Sequence, residues 1–129
     1  MTVDSSALIA ILFGESGYLD LVDRILEADV VRIGTPTLTE TAIVATARRR
    51  APMREELAGL IRELDVTIVP FTAAHQEAAV RAYERYGRGR HKANLNFGDC
   101  LSYAVAVVAG DPLLFVGDDF RRIDIEPAG

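Results

Sequence analysis

The chain has 129 residues, half of them apolar and about a quarter charged, which suits one globular domain with its own core. A single cysteine, Cys100, excludes an internal disulfide framework, and no apolar run approaches the roughly 20 residues needed to cross a bilayer. The net charge of −5 argues against a nucleic-acid partner met by overall charge, so any such contact must come from local clusters. These features predict a soluble, cytoplasmic protein without a membrane partner.

The first predicted element is a two-residue strand, Thr2-Val3, running into Asp4 and then an unbroken apolar helix that Asp4 is placed to cap. Gly14 to Gly17 interrupts it. Tyr18, Val22, Ile25 and Leu26 recur at helical spacing and predict a second helix to about Ala28. Val30 to Ile33 reads as a strand ended by Gly34-Thr35-Pro36. Thr37 with Glu40 three residues on reads as a capping box, opening a helix that ends in the basic cluster Arg48-Arg49-Arg50.

Pro52 opens another helix, with Leu57, Leu60, Ile61 and Leu64 on one face. Val66 to Val69 is a strand stopped by Pro70, and residues 73–86 form an Ala-rich helix. Gly87 to Asn94 has no periodicity and is a basic loop, extending a second cluster of Arg81, Arg85, Arg88, Arg90, His91 and Lys92. Asn96-Phe97-Gly98-Asp99 opens a helix closed by Gly110 and Pro112. Leu113 to Val116 is a wholly apolar strand, Gly117 to Phe120 a turn, and Ile123-Asp124-Ile125 a last short strand. Strands alternating with helices predict a three-layer α/β domain, a mainly parallel central sheet flanked by helices, over residues 1–129.

In that arrangement the acids fall at strand exits. Asp4 follows the first strand, Glu40 the second through a short loop, and Asp118-Asp119 the last core strand. Asp99 opens the helix that feeds that strand. Helices of a parallel sheet start at its carboxyl edge, so all five can converge on one crevice. Each alone has a structural explanation as a cap or turn residue. Together they would repel one another unless a cation sat between them. An all-oxygen donor set selects Mg²⁺ or Mn²⁺ over zinc. Ser6 and Ser102 lie near the acids and are candidates to orient them. No phosphate-binding or dinucleotide-binding glycine loop is present, and Cys100 reads as a packed residue.

Val3-Asp4-Ser5-Ser6-Ala7-Leu8, Glu40, Asn94 to Cys100, and Leu113 to Phe120 together resemble a PIN-domain ribonuclease, most of all the VapC-type toxins. The resemblance covers essentially the whole chain. It implies a PIN-like fold and a Mg²⁺- or Mn²⁺-dependent endoribonuclease acting as the toxin of a toxin–antitoxin pair. Asp4 and Asp99 would be the main metal ligands, with Glu40, Asp118 and Asp119 completing the site. RNA contacts would come from Arg85, Arg88, Arg90, His91 and Lys92. A small antitoxin and a homodimer are the implied partners. The family often carries an acid three residues before its closing Phe, where this chain has Gly117. Two other readings compete: a non-catalytic RNA-binding protein of the same fold, and a phosphoacceptor receiver domain. The receiver wants paired acids after the first strand and a later Lys, whereas here Asp4 is single and Arg121-Arg122 follow.

Overall fold

In the computed structural model, which describes residues 1–128, the central strand β1 is only Thr2–Val3. Asp4 then holds extended backbone and accepts the Ser6 N–H, starting α1 (Ser5–Leu12) at once. Gly17, at a φ of 85°, starts α2 (Tyr18–Glu27), whose Ile25 is buried. Next come β2 (Val31–Gly34), α3 (Thr35–Arg49), α4 (Arg54–Glu63) and β3 (Val66–Val69). The chain closes with α5 (Ala73–Tyr86), α6 (Phe97–Ala109) and β4 (Leu113–Leu114). The sheet runs β3-β2-β1-β4 and every pairing is parallel, so all four strands point their carboxyl ends to one edge.

One apolar cluster joins Val3, Ile33 and Leu114 of the sheet to Leu8 of α1, Ile25 of α2 and Ile61 of α4. A second lies between α5 and α6, with Tyr86, Leu95, Tyr103, Ala104 and Phe120 at its centre. β1, β2 and β4 are mostly buried between these clusters, whereas edge strand β3 leaves Thr67 and Ile68 exposed. No helix among the described residues is long and apolar enough to cross a membrane.

Five expectations are corrected. The second strand is shifted by one residue, to Val31–Gly34, and runs straight into α3 with Gly34 as its N-cap. Pro36 takes the first turn, where its missing N–H costs nothing, so Thr37 is inside the helix and forms no capping box with Glu40. The helix expected at Pro52 starts at Arg54. The last core strand stops at Leu114, because the Val116 N–H turns away to the Ser6 hydroxyl, and residues 123–125 form no strand. The outer edge of β4 pairs instead with the chain's end: the Leu113 N–H donates to Glu126 and the Ala128 N–H to Leu113.

A candidate carboxylate active site

Asp4 stands at the carboxyl end of β1, with only 5% of its surface exposed. Burial of a carboxylate is tolerated only where its oxygens are paired, and here both are. Oδ2 accepts the Ser6 N–H at 3.1 Å and the Ser6 hydroxyl at 2.6 Å, and Oδ1 accepts the Ser102 hydroxyl. Asp4 is thus an N-cap and a buried, oriented carboxylate at once. The two readings of it coexist.

Asp99 sits in the first turn of α6 and is 8% exposed. Its placement follows from a capping box. The Asn96 side-chain oxygen Oδ1 accepts the Asp99 N–H at 2.9 Å, and Asp99 Oδ2 accepts the Asn96 N–H at 3.0 Å. Burial pushes its carboxyl up to about 7, opposed by the Asn96 N–H and reinforced by the Asp119 and Asp4 charges and a hydrogen bond with Asp119. Asp4, Asp99 and Asp119 therefore act on one another electrostatically at a single crevice. Glu40, half-buried on α3, joins them from the side. A Cβ added at Gly98 would strike its carboxylate, so the Glu40 oxygens lie against the backbone immediately before Asp99.

Asp118 is not brought into the group. Its side chain is 89% exposed and pairs with Arg121 Nε at 3.1 Å. Gly117, at a φ of +100°, makes the turn that precedes the two neighbouring acids. Asp119 is also exposed, but its charge and a hydrogen bond reach Asp99.

Of the basic residues, Arg85 is held to Asp124 at 3.5 Å and stacks over the Tyr86 ring. His91 meets Tyr86 edge-on, and its Nδ1 accepts the Ala93 N–H at 3.0 Å. Arg88, Arg90 and Lys92 are exposed and form no ion pair among the described residues. The loop that carries them leads through Leu95 directly into the Asn96–Asp99 cap. On the other side of Glu40 and Gly98 opens an apolar groove of about 730 Å³, lined by Ile43, Val44, Val80 and Phe97 among others, with Phe97 78% exposed.

The donor set is suited to a hard divalent ion, being carboxylate oxygen throughout. Among the described residues no three acids, histidines or cysteines stand close enough to enclose an ion by themselves. A hard ion such as Mg²⁺, which keeps several waters, would need water or phosphate oxygens beside the one or two carboxylates offered here. The Asp99 carboxyl is raised first by burial and only then by the Asp119 and Asp4 charges, and a cation held between these acids would offset both costs.

Two residues of the site escape a reading by spacing alone. Thr37 was assigned to a cap, and the Thr-x-x-Glu spacing gave no reason to doubt it. Gly98 carried a usable signal: a glycine inside a helix costs about 1 kcal/mol against alanine, so one in a first turn beside an acid marks a close approach.

An α/β domain with buried carboxylates at the carboxyl edge of a parallel sheet is the class these features define. The PIN-domain family model matches residues 1–126. Ribonuclease VapC36 of Mycobacterium tuberculosis is 43% identical over 130 residues, covering 100% of this chain and 94% of that one. Ribonuclease VapC of Mycolicibacterium smegmatis is 44% identical over 126 residues, 97% of each. The chain belongs to the PIN-domain family and, within it, to the VapC ribonucleases. In structure it is similar to M. tuberculosis VapC20, described as a sarcin–ricin loop cleaving toxin, at TM-score 0.72, 22% identity and coverage of 96% and 95%. It is also similar to a chain of a toxin–antitoxin complex from Klebsiella pneumoniae, at TM-score 0.70, 18% identity and coverage of 95% and 91%. The two-carboxylate receiver alternative ends here, since neither fold family nor site agrees with it.

Proposed function

We propose that this protein is a cytoplasmic endoribonuclease, the toxin of a toxin–antitoxin pair, that cleaves RNA with Mg²⁺ or Mn²⁺ held by Asp4 and Asp99. The observation that carries the reading is the convergence of Asp4, Glu40, Asp99 and Asp119 at one sheet edge, with Asp4 and Asp99 buried and the Asp99 carboxyl raised by burial and then by its acidic neighbours. The names of the 43–44% identical relatives support ribonuclease chemistry. When bound, the metal supplies Lewis acidity toward the scissile phosphodiester and acidifies a water at neutral pH. Ser6 and Ser102 hold the Asp4 oxygens in fixed directions, and the α6 cap holds those of Asp99. Glu40 and Asp119 flank them and orient what lies between. Arg88, Arg90 and Lys92 offset the repulsion between RNA and the acids by contacting flanking phosphates, with His91 and Arg85 behind them.

The same reading includes an antitoxin and a homodimer. The fold shared with a chain of a toxin–antitoxin complex supports the first. The exposed apolar side chains Ile43, Val44, Val80 and Phe97 supply surface that protein partners cover.

The test is direct. Purified protein is expected to cut a defined RNA with Mg²⁺ or Mn²⁺ and to stop on addition of EDTA. Asp99→Asn should be inactive though folded by circular dichroism. Cleavage that survives both the chelator and the substitution overturns the metal assignment. RNA binding without cleavage under every condition would favour the non-catalytic reading instead.

A further inference from the structure

The segments that bring the acids together are joined by one run of hydrogen bonds that begins at a residue with no assigned role. Thr37 Oγ1 lies 3.3 Å from Ser102 Oγ, and Ser102 Oγ donates to Asp4 Oδ1. Asp4 Oδ2 accepts the Ser6 hydroxyl at 2.6 Å, and that hydroxyl accepts the Val116 N–H at 3.0 Å. Each member sits close in sequence to an acid. Thr37 precedes Glu40 by one helical turn on α3, Ser102 follows Asp99 by one turn on α6, and Val116 lies just ahead of Asp119. Thr37 and Ser102 are each 1% exposed, so water does not compete for these bonds.

Proton counting fixes the direction of the run. A hydroxyl carries one proton, and Ser102 spends its own on Asp4. Ser102 must therefore accept from Thr37. Likewise Ser6 gives its proton to Asp4 and accepts from Val116. All donors point inward to Asp4. We infer that Thr37 is a positioning residue, which acts through Ser102 to fix the Asp4 carboxylate and, with it, the spacing of the helices that carry Glu40 and Asp99. Without the Thr37 hydroxyl, Ser102 Oγ is free to rotate, and Asp4 loses the restraint on one of its two oxygens. The Thr37 backbone role is separate, since its carbonyl accepts from Thr41 whatever the Thr37 side chain is.

This inference rests on the metal-site reading above and deepens it. The test measures Mn²⁺ binding to the intact protein by electron paramagnetic resonance, and the Mg²⁺ concentration for half-maximal RNA cleavage. Thr37→Val, which keeps shape and removes the hydroxyl, should weaken Mn²⁺ binding by about tenfold, as loss of a residue that orients a metal ligand does. Thr37→Ser should restore wild-type affinity, and KM for RNA should not move in either. Added to Ser102→Ala, Thr37→Val should cost nothing further, because its effect passes through Ser102. If crowding by valine unfolds the variant, Thr37→Ala takes its place. Wild-type Mn²⁺ affinity in the folded hydroxyl-free variant, or an undiminished second loss on the Ser102→Ala background, overturns the inference alone. Absence of Mn²⁺ binding by the wild type overturns the metal-site reading and the inference with it.

Discussion

At the scale of residues, Gly98 and Glu40 make a matched pair. Any side chain at position 98 enters the space of the Glu40 carboxylate, whose nearest carbon would be 3.0 Å from a new Cβ. The far end of Glu40 is flexible, so Gly98→Ala should leave the melting temperature nearly unchanged while moving the acid. A loss of between about tenfold and a hundredfold in kcat/KM is expected, in line with small misplacements elsewhere in catalysis. Cleavage assays beside thermal melts check it. Asp118 and Asp119 give a second contrast. Asp118→Asn should keep near-wild-type cleavage, since Asp118 faces Arg121 and solvent, whereas Asp119→Asn should reduce it.

Asp99 also sets a pH dependence. Its carboxyl rises from 3.8 unfolded to about 7 folded, so between those values the metal-free folded state keeps a proton that the unfolded state has lost. The stabilising contribution is full below pH 3.8 and disappears as pH rises through about 7. Melts of the metal-free protein across that window should show this decline, and Asp99→Asn should flatten it. The opposite sign applies to Mg²⁺ binding, which must displace the proton and should tighten up to about pH 7.

At the scale of elements, the site depends on how closely α6 approaches β2. Gly34 ends β2, and a Cβ there would lie 2.7 Å from Val105 Cγ2 on α6. Gly34→Ala should therefore push α6 outward and destabilise by about 1–3 kcal/mol, the usual cost of overpacking. Because α6 carries Asp99 and Ser102, activity should fall along with stability. Gly34→Ala combined with Val105→Ala opens the space again and should recover part of both, measured by denaturant melts and cleavage. The α6 cap is the other hinge of the site. Asn96→Ala should cost about 1 kcal/mol and loosen the turn that holds Asp99.

At the scale of the whole molecule, the acids gather at one edge of the sheet while an ion pair ties the other. Asp111, just before β4, accepts Arg32 Nη1 of β2 at 2.8 and 2.9 Å and the Thr2 hydroxyl of β1 at 2.9 Å. Burial alone would raise its carboxyl, but the bonds from Arg32 and Thr2 outweigh it and hold Asp111 below 3.8. Its stabilising contribution is present above that unfolded value and is lost as pH falls through the lower folded one. Asp111→Asn should thus destabilise near neutral pH and shrink the difference from wild type in strong acid. Three of the four strands meet at this residue, so its loss should be felt as global unfolding rather than local fraying.

Much of this was legible in the chain because local physics decides it. Helical periodicity and short apolar runs bounded by proline and glycine gave the order of helices and strands, and that alternation pointed to a parallel sheet flanked by helices. β3 and α5 fall within the expected limits because proline and glycine bound them. Asp4 and Asp99 were legible because an acid after a strand or in a capping box has few places to go. The sequence by itself thus determined the fold class and placed acids at the exits of its strands. Tertiary structure alone decided which acids meet. It set Asp119 beside Asp99 and Asp118 beside Arg121, made Thr37 the start of a buried hydroxyl run rather than a cap, and pressed Glu40 against Gly98. The hydroxyl run alone joins residues 65 and 110 positions apart, and spacing along a chain carries no record of such contacts.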